Sequence, residues 1–379
     1  MPRKGENIYK RKDGRWEGRY IHSYDSEHKA KYAYVYGKTY SEVKRKLTEQ
    51  KGNVQKVHPA KNKSSTYGEL LDCWLHSMQL NTKESTQARY SHLITTHIKP
   101  HLGDVQLSQL TTDTIEFFIE QQLTNGRLDN SGGLSPKTVT DILTIIKSTI
   151  EYARYKELPV ICNLGKLSVK KKEKEMRVFT PSEQEALIGT LTSDMDHSKF
   201  GVLLSLYTGI RVGELCALQR EDFDLAHSKL KIRKTMQRIQ DLGNKSVSKT
   251  KIVITEPKSQ CSIREIPLPL FIVDIAKKFA SNPKAYILTG TDRYIEPRTM
   301  QNGFKSYITE CNVEPANFHA LRHTFATRCV EVGFEVKSLS EVLGHANVNI
   351  TLNRYVHSSF ELKHSNMNKL ASQYKPSNM

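Results

Sequence analysis

Two histidines and an arginine lie close together in the stretch ANFHALRHTFAT, residues 316–327. His319 and His323 are four residues apart, the helical spacing at which two imidazoles can share a zinc ion. His319 and Arg322 are three apart, which would aim a proton-transfer group and a guanidinium at one oxyanion. A zinc peptidase helix would need Glu at position 320, which is occupied by Ala320. The pattern therefore favours an anion site without a metal, with His323 packed in the core.

Three other motifs carry residues of complementary chemistry. YTGIRVGEL places Arg211 at a break between two apolar helical runs, with Glu214 one turn later to orient the guanidinium. TEPKSQCSIREIPL places Lys258 in a turn between two predicted strands. LGHANVNITLNRYVH provides His345 at a predicted helix start and Tyr355 ten residues later. Each motif alone is common, but the order Arg, Lys, His-x-x-Arg, His, Tyr is a specific combination.

These four motifs span about the last 200 residues and resemble the tyrosine recombinase family, the integrases of phages and conjugative transposons. The part before them resembles the larger lambda-type integrases in arrangement. The resemblance implies that Tyr355 is the nucleophile. It also implies that the scissile phosphate is surrounded by Arg211, Lys258, His319, Arg322 and His345. Lys249 and Lys251, in the same lysine-rich segment, are alternatives to Lys258 as the catalytic lysine.

Elementary chemistry agrees with these roles. Two planar guanidiniums can bind the nonbridging oxygens of a phosphodiester and stabilise the charge that attack adds. A tyrosine with an ordinary pKa of about 10 is ~3 units from ionised at neutral pH, a deficit of ~4 kcal/mol. It therefore needs the field of the arginines and a proton acceptor, for which His319 is the predicted group. Lys258 would protonate the leaving 5′-oxygen and His345 would donate to a phosphate oxygen, so neither a metal nor another cofactor is expected.

The charge of the chain predicts a polyanionic partner. Its 57 Lys and Arg exceed its 40 Asp and Glu, giving a net charge of +17. The first 63 residues hold 17 basic and 7 acidic side chains. Clustered positive charge of this kind is typical of nucleic-acid binding. We predict that DNA is contacted by basic residues of the first two domains: Lys10, Arg11, Lys12, Arg15, Arg19, Lys83 and Arg89.

Composition and periodicity divide the chain into three predicted domains. Residues 1–56, with alternating strands and one helix, would form a basic arm-type DNA-binding domain. Residues 64–166 carry apolar stripes at helical spacing and would form an all-helical core-binding, SAM-like domain. Residues 176–379 would form the catalytic domain, whose first helix opens with a capping box at residues 180–183.

The predicted fold class is multidomain α+β. It combines a small three-stranded-sheet N-terminal domain, an all-helical domain, and a mixed, mainly helical catalytic domain with a small antiparallel sheet. The resemblance identifies this combination as the DNA breaking-rejoining fold of the tyrosine recombinases.

The predicted function is site-specific DNA recombination through a covalent 3′-phosphotyrosine intermediate, integrating and excising a mobile element or prophage without ATP. The expected partners are double-stranded DNA with core and arm sites, further copies of the chain in a tetramer, an excisionase and a host DNA-bending protein. In the family, the segment after the tyrosine packs on a neighbouring protomer, a contact suited here to Leu362, Met367 and Leu370. Because no run of about 18 apolar residues is present, no membrane partner is expected, and we predict a cytoplasmic, nucleoid-associated protein.

Three alternatives remain open at this level. A Xer-like resolvase or a type IB topoisomerase would use the same six residues but would not need the basic N-terminal domain. A non-catalytic DNA-binding regulator would have no physical reason to keep the complete set.

Overall fold

The structure is a computed structural model that describes residues 7–24, 30–57, 65–79, 82–170, 176–241, 249–257, 260–279, 282–355, 364 and 367–371. The chain divides into two compact units. The first unit comprises residues 1–81 and 93–170, and the second comprises residues 82–92 and 171–379.

The N-terminal region of the first unit is a three-stranded antiparallel sheet followed by a helix, as the sequence predicts. The elements are β1 (Ile8–Lys10), β2 (Trp16–Tyr24), β3 (Ala30–Gly37) and α1 (Tyr40–Val57), with strand order β1-β2-β3.

A small apolar core holds α1 against one face of this sheet. Ile8, Val43 and Leu47 are buried there. Gly18 lies on β2 where the helix approaches the strand, and an added Cβ would stand 2.3 Å from Leu47 Cδ1. Any larger residue at position 18 would have to displace the side chains of Leu47 and Val43.

The remainder of the first unit is helical, which confirms the prediction from apolar periodicity. Its helices are α2 (Tyr67–Met78), the end of α3 (Glu84–Leu93), α4 (Lys99–Leu102), α5 (Thr112–Asn125) and α6 (Pro136–Tyr155). The residues of α3 up to His92 belong to the second unit. A π-helical stretch, Ile94–Ile98, joins α3 to α4. Ser135 caps α6 by accepting a hydrogen bond from Thr138 N at 3.1 Å. The apolar stripe of α6 is buried: Val139, Ile142, Ile145, Ile146 and Ile150.

The second unit is mainly helical and contains two small antiparallel sheets. Its first half consists of α7 (Pro181–Thr192), α8 (His197–Thr208), α9 (Val212–Ala217), β4 (Phe223–Asp224), β5 (Lys229–Ile232), β6 (Thr235–Gln240), β7 (Thr250–Thr255) and β8 (Arg264–Pro267). Its second half consists of α10 (Leu270–Lys278), α11 (Pro297–Glu310), α12 (His319–Glu331), α13 (Val336–Leu343) and α14 (Val348–Tyr355).

The one small sheet expected in this unit is in fact two. Strands β4, β5 and β8 form one sheet in the order β4-β5-β8, and β6 pairs with β7 in the other. Between β5 and β6, Arg233 donates to Asp222 Oδ1 at 2.6 Å and Lys234 donates to Gln219 Oε1 at 2.8 Å. These bonds hold the two linking residues to the segment before β4, so the strand is interrupted there.

A smaller apolar cluster of the second unit contains Tyr355, and the main core of this unit is rich in aromatic side chains. Phe179, Phe200, Phe304 and Leu321 are fully buried in it. The predicted capping box of α7 is present, with Thr180 Oγ1 accepting from Glu183 N and the Glu183 carboxylate accepting from Thr180 N. Within the ranges given above, no helix is both long and apolar enough to cross a membrane.

Candidate active site

The turn between α8 and α9 fixes the position of Arg211. Helix α8 ends at Gly209, whose φ of +63° is left-handed and where an added Cβ would lie 2.5 Å from Phe325. Arg211 caps α9, with its backbone N–H donating to Glu214 Oε2 at 3.0 Å and its Nη1 donating to Oε1 at 2.8 Å. One carboxylate therefore holds both the main chain and the guanidinium of Arg211.

A second arginine, Arg264 at the start of β8, shares that carboxylate. Its Nη2 donates to Glu214 Oε2 at 2.9 Å, and its Nε donates to Val342 O at 2.6 Å. Burial alone would raise the pKa of Glu214, but Arg264 and then Arg211 outweigh burial and hold this pKa below its ordinary value. The sequence contained Arg264 in IREIPL, but a strand pattern gave no reason to select it.

Arg322 on α12 is the most constrained cation of the site. Its side chain is 2% exposed. Nη1 donates to Gly209 O at 2.8 Å, and Nη2 donates to Leu343 O and to His345 Nε2, both at 2.8 Å. Burial, followed by the charge of Arg211, lowers the pKa of Arg322 to about 9, so the guanidinium remains charged at neutral pH. Arg322 thus joins the ends of α8 and α13.

His345 lies just beyond the end of a helix, not at the helix start that the sequence pattern indicated. Gly344, with φ of +66°, is the left-handed cap of α13, and the next helix begins only at Val348. Because Nε2 accepts from Arg322, the proton must sit on Nδ1, which donates to Thr351 Oγ1 at 2.8 Å. Burial and then Arg322 and Arg211 lower the pKa of His345 to about 4, so the ring is neutral at pH 7.

Tyr355, the last residue of α14, is buried beside these groups in the same chain. Its hydroxyl lies 2.9 Å from His323 Nδ1. Burial raises the pKa of Tyr355, and the charges of Arg322 and Arg354 oppose that rise. His323 is therefore buried, as the sequence predicts, and its imidazole also contacts the Tyr355 phenol.

His319 begins α12 at the open side of the same cluster. Its ring meets the ring of His323 edge-on, with centroids 4.6 Å apart. Partial burial and then His323, Arg322 and Arg211 lower the pKa of His319 to about 4. The structure thus brings together five of the six residues selected from the sequence: Arg211, His319, Arg322, His345 and Tyr355.

The sixth residue, Lys258, lies outside the described residues. Of its two alternatives, Lys251 on β7 forms ion pairs with Glu84 and Asp241, and Lys249 is exposed just before that strand. The catalytic lysine therefore stays a prediction from the resemblance.

The basic residues predicted to bind DNA are largely exposed in the structure. Within the sheet module, Arg11 pairs with Glu17, Arg15 pairs with Asp13 at 2.8 Å, and the Arg19 guanidinium lies 4.4 Å from the centre of the Tyr32 ring. Exposed positions are occupied by Lys10, Arg11, Lys12, Arg15, Lys83 and Arg89, while Arg19 is half-buried.

The sheet face that carries Arg19 is rich in aromatic rings. Exposed tyrosines there are Tyr9, Tyr32, Tyr34 and Tyr36. This aromatic face with its neighbouring cations is a surface on which nucleic-acid backbone and sugar can lie.

Lys83 lies in the second unit, where its side chain donates to Pro257 O at 3.1 Å.

Two further predictions concern a metal site and the C-terminal segment. Across the described residues, no group of three or more His, Cys, Asp or Glu side chains is arranged to hold a metal ion. In the C-terminal segment, Met367 and Leu370 are exposed and residues 367–371 are helical, whereas Leu362 lies outside the described residues.

Two family models and several curated relatives match this chain. Residues 177–361 match the Phage integrase family, and residues 66–121 match the family described as Phage integrase, N-terminal SAM-like domain. A tyrosine recombinase XerC-like protein of Caldanaerobacter subterraneus subsp. tengcongensis is 25% identical over 350 residues, covering 85% of this chain and 87% of the relative. The ICEBs1 integrase of Bacillus subtilis is 21% identical over 319 residues, covering 80% of this chain and 82% of the relative.

Solved structures share the fold. A fragment of the Tn1549 transposon integrase, in complex with a circular intermediate DNA, matches with a TM-score of 0.66 at 20% identity, covering 81% of this chain and 100% of that chain. A lambda integrase dimer bound to a core site matches with a TM-score of 0.56 at 18% identity, covering 94% of this chain and 96% of that one. With the two family matches extending over more than half of its residues, the chain belongs to the phage integrase family of tyrosine site-specific DNA recombinases.

Proposed function

We propose that the chain is the integrase of a mobile element and that Tyr355 cuts DNA by attacking one backbone phosphate. The observation that carries this proposal is the position of the Tyr355 phenol, which is buried 2.9 Å from Nδ1 of His323, a residue of the helix that also carries Arg322 in the same chain. A phenol needs the field of such a cation because its pKa, already above the ordinary value here, leaves it protonated at neutral pH.

Two guanidiniums bind the phosphate in this scheme. Arg211 and Arg322 direct N–H groups at the nonbridging oxygens and stabilise the charge that develops on them. Their orientation is fixed before DNA arrives, because Glu214 holds Arg211 and two backbone carbonyls hold Arg322. His319, at the open side of the cluster, contacts the same phosphate.

His345 acts next to Arg322 and changes its hydrogen-bonding role on DNA binding. Its Nε2 accepts from Arg322 in the structure, whereas a bound phosphate oxygen requires a donor. An anionic phosphate offsets the cations that lower the pKa of His345 and favours its protonated form. Lys258 supplies the proton that the departing 5′-oxygen needs.

Strand exchange follows from the covalent intermediate. Attack by Tyr355 forms a 3′-phosphotyrosine bond and releases a 5′-hydroxyl, and a 5′-hydroxyl from another strand then attacks that bond and restores the tyrosine. The energy of the phosphodiester is conserved, so no ATP is needed. Four strands and one tyrosine per chain require four protomers, and the C-terminal segment, of which the structure describes residues 364 and 367–371, contacts a neighbouring protomer.

The two DNA-binding regions divide the DNA between them. The N-terminal sheet binds arm sites and the helical domain binds core sites of double-stranded DNA, which places the protein at the nucleoid in the cytoplasm. An excisionase and a host DNA-bending protein set the direction of the reaction. Neutralising ~8 phosphates would give a log–log slope of affinity against salt of about −7.

The test is a trapped cleavage reaction with the Tyr355→Phe variant. The probe is a nicked, labelled duplex that carries an end of the element encoding the chain, from which the cut fragment diffuses away. Wild-type protein should form a covalent protein–DNA adduct, and the variant should bind the duplex with unchanged affinity but form none. An adduct formed by the variant would refute the nucleophile, and peptide mapping of the wild-type adduct identifies the linked residue.

A further inference from the structure

The hydroxyl of Tyr355 has a histidine partner that the family resemblance did not assign. His323 Nδ1 lies 2.9 Å from the Tyr355 oxygen, across the packing of α12 against α14. Position 323 is four residues after His319 on the same helix, so its ring is one turn deeper in the structure. His323 is 9% exposed, which keeps bulk water from replacing it as the partner of the phenol.

The state of the His323 ring makes it an acceptor in this hydrogen bond. Burial, followed by the charges of Arg354 and Arg322, lowers the pKa of His323 to about 4, so the ring is neutral at pH 7. A protonated phenol can donate or accept, but the guanidiniums of Arg354 and Arg322 also hydrogen-bond Tyr355 and can only donate, so the phenol proton is left for Nδ1. A neutral imidazole accepts only at its bare nitrogen. Nδ1 is therefore bare and Nε2 carries the proton, which is the tautomer of an imidazole ready to take a proton from Tyr355.

We infer that His323 is a catalytic residue that takes the proton of the Tyr355 hydroxyl as this oxygen attacks the phosphate. The inference rests on the proposed nucleophile. During cleavage the Tyr355 oxygen forms a bond to phosphorus, its proton moves to His323 Nδ1, and the bond from phosphorus to the 5′-oxygen breaks as that oxygen gains a proton from the proposed acid, Lys258. During rejoining, a 5′-hydroxyl attacks phosphorus and gives its proton back to Lys258, the bond to Tyr355 breaks, and His323 returns its proton to the phenol.

The surrounding charges would keep this base weak until DNA is bound. The charged and titratable groups that act on His323 or contact it are Arg354 on the helix of the tyrosine, Arg322 and His319 on its own helix, and Tyr355 itself. The two guanidiniums oppose a proton on His323. A phosphodiester bound by Arg211 and Arg322 cancels part of that field, so the imidazole becomes more basic only when a substrate is present.

His319 is less well placed for this step. Its ring approaches the edge of His323, and it lies at the open start of α12, where the phosphate would enter. The two histidines therefore divide the work, with His319 facing the phosphate and His323 facing the nucleophile.

The experiment varies the base and the acidity of the nucleophile together. In the full chain, His323→Asn keeps a hydrogen-bond acceptor near the position of Nδ1 but cannot take up a proton. Each variant is made with tyrosine at 355 and again with a fluorinated tyrosine, whose phenol ionises near neutral pH without a base. Single-turnover cleavage of the nicked duplex is measured, and each rate is compared with that of the wild-type sequence carrying the same nucleophile.

With ordinary tyrosine, His323→Asn should slow cleavage by about 10²–10³-fold, the contribution typical of a general base. With fluorinated tyrosine the loss should shrink to less than about tenfold, because the nucleophile is already ionised. The matched variant His319→Asn should lose activity that the fluorinated tyrosine does not restore.

Three results would overturn the inference. Cleavage by His323→Asn at a rate close to wild type would mean that His323 only holds the phenol. Recovery by fluorinated tyrosine in the His319 variant instead would assign the proton to His319. If His323→Asn slows cleavage by the same factor with tyrosine and with fluorinated tyrosine, His323 has a structural role and does not accept the proton.

A measurement on the unaltered protein guards against a variant that fails to fold. The ¹⁵N chemical shifts of His323 should show a bare Nδ1 and a protonated Nε2, and the opposite tautomer would overturn the inference. Failure of the proposed function can be told apart from failure of this inference. If Tyr355 is not the nucleophile, the wild-type chain forms a covalent adduct at another residue or forms none, and the residue at position 323 does not change that result.

Discussion

The candidate active site and the N-terminal sheet both carry arginines that we propose contact DNA, but they hold them in opposite ways. Arg322 is buried and donates to two backbone carbonyls and an imidazole, and Arg211 is locked by the buried carboxylate of Glu214. In the sheet, Arg11 pairs with the half-buried Glu17, Arg15 pairs with the exposed Asp13, and Arg19 lies on a tyrosine ring.

Under the proposed function, the difference follows from the number of phosphates that each region would contact. A charge that stabilises one reacting phosphate acts most strongly where water is excluded and its direction is fixed in advance. Charges that bind a long polyanion gain affinity mainly by releasing counterions, so they work from exposed positions. One substitution should therefore disable the first region, whereas several are needed to weaken the second.

The largest effect is expected from Arg322→Lys. An ammonium has no planar fork and cannot keep the bonds to Gly209 O, Leu343 O and His345 while also reaching a phosphate. Cleavage of the nicked duplex should slow by about 10³-fold, at the upper end of the loss seen when one fixed transition-state donor is removed. The rate is measured in a single turnover with saturating protein.

Arg328→Lys is the matched control, because Arg328 lies on the same helix and also donates to a backbone carbonyl, Phe179 O at 2.7 Å. It makes no contact with the catalytic groups among those described for the chain. Its cleavage rate should stay within about threefold of wild type, because Arg328 contacts none of the groups that we propose act on the phosphate. Equal losses in both variants would mean that Arg322 has no special role in cleavage.

An intermediate effect is expected from Glu214→Gln, which removes the charge shared by Arg211 and Arg264. Both guanidiniums then lose their buried counter-charge, and the free energy of unfolding should fall by about 3 kcal/mol at pH 7. Denaturant unfolding measures this change. Glu331→Gln, which removes the surface partner of Arg328, should cost less than about 1 kcal/mol.

The stability lost in Glu214→Gln should depend on pH in one direction. The pKa of Glu214 is lower in the folded chain than in the unfolded chain, so its contribution is present above the unfolded pKa and is lost as pH falls through the folded pKa. The difference between wild type and variant should therefore narrow in acid. A difference that widens below about pH 4, near the ordinary pKa of Glu, would contradict the ion-pair account.

The smallest effect on chemistry is expected from changes in the N-terminal sheet. Replacing Lys10, Lys12 and Arg15 with alanine should leave cleavage of a short core duplex within about threefold of wild type. The slope of affinity against salt on long DNA should become shallower by about 3, because each phosphate contact contributes about 0.9.

Recombination between a long, arm-containing site and a short site should also fall in this triple variant. A Xer-like resolvase would lose little, so unchanged recombination would favour that alternative. Replacing Lys277 and Lys278, exposed on α10, with alanine controls for the loss of charge itself.

Local features of the fold were predictable because they depend on neighbouring residues. The capping box at Thr180, the start of α6 after Ser135 and the glycine-ended helix before Arg211 are all written in a few adjacent positions. The alternation in the first 40 residues likewise predicts the three strands. Where the local pattern was ambiguous, as at His345, the glycine before it proved to end one helix instead of opening another.

The contacts that define the site join residues far apart along the chain. Arg264 meets Glu214 across 50 positions, and Arg322 meets Gly209 across 113. No periodicity encodes such pairings, so Arg264 could not be chosen from the sequence, and His323 could not be separated from an ordinary buried histidine.

The sequence by itself determined the family and the order of the candidate reactive groups, because an ordered set of rare residue types is information that needs no coordinates. Tertiary structure alone decided which histidine touches the phenol, which arginine steadies Glu214, and how deeply Arg322 is enclosed. The reason is physical: proton transfer and charge stabilisation depend on distances of a few ångströms between side chains, and packing, not chain order, sets those distances.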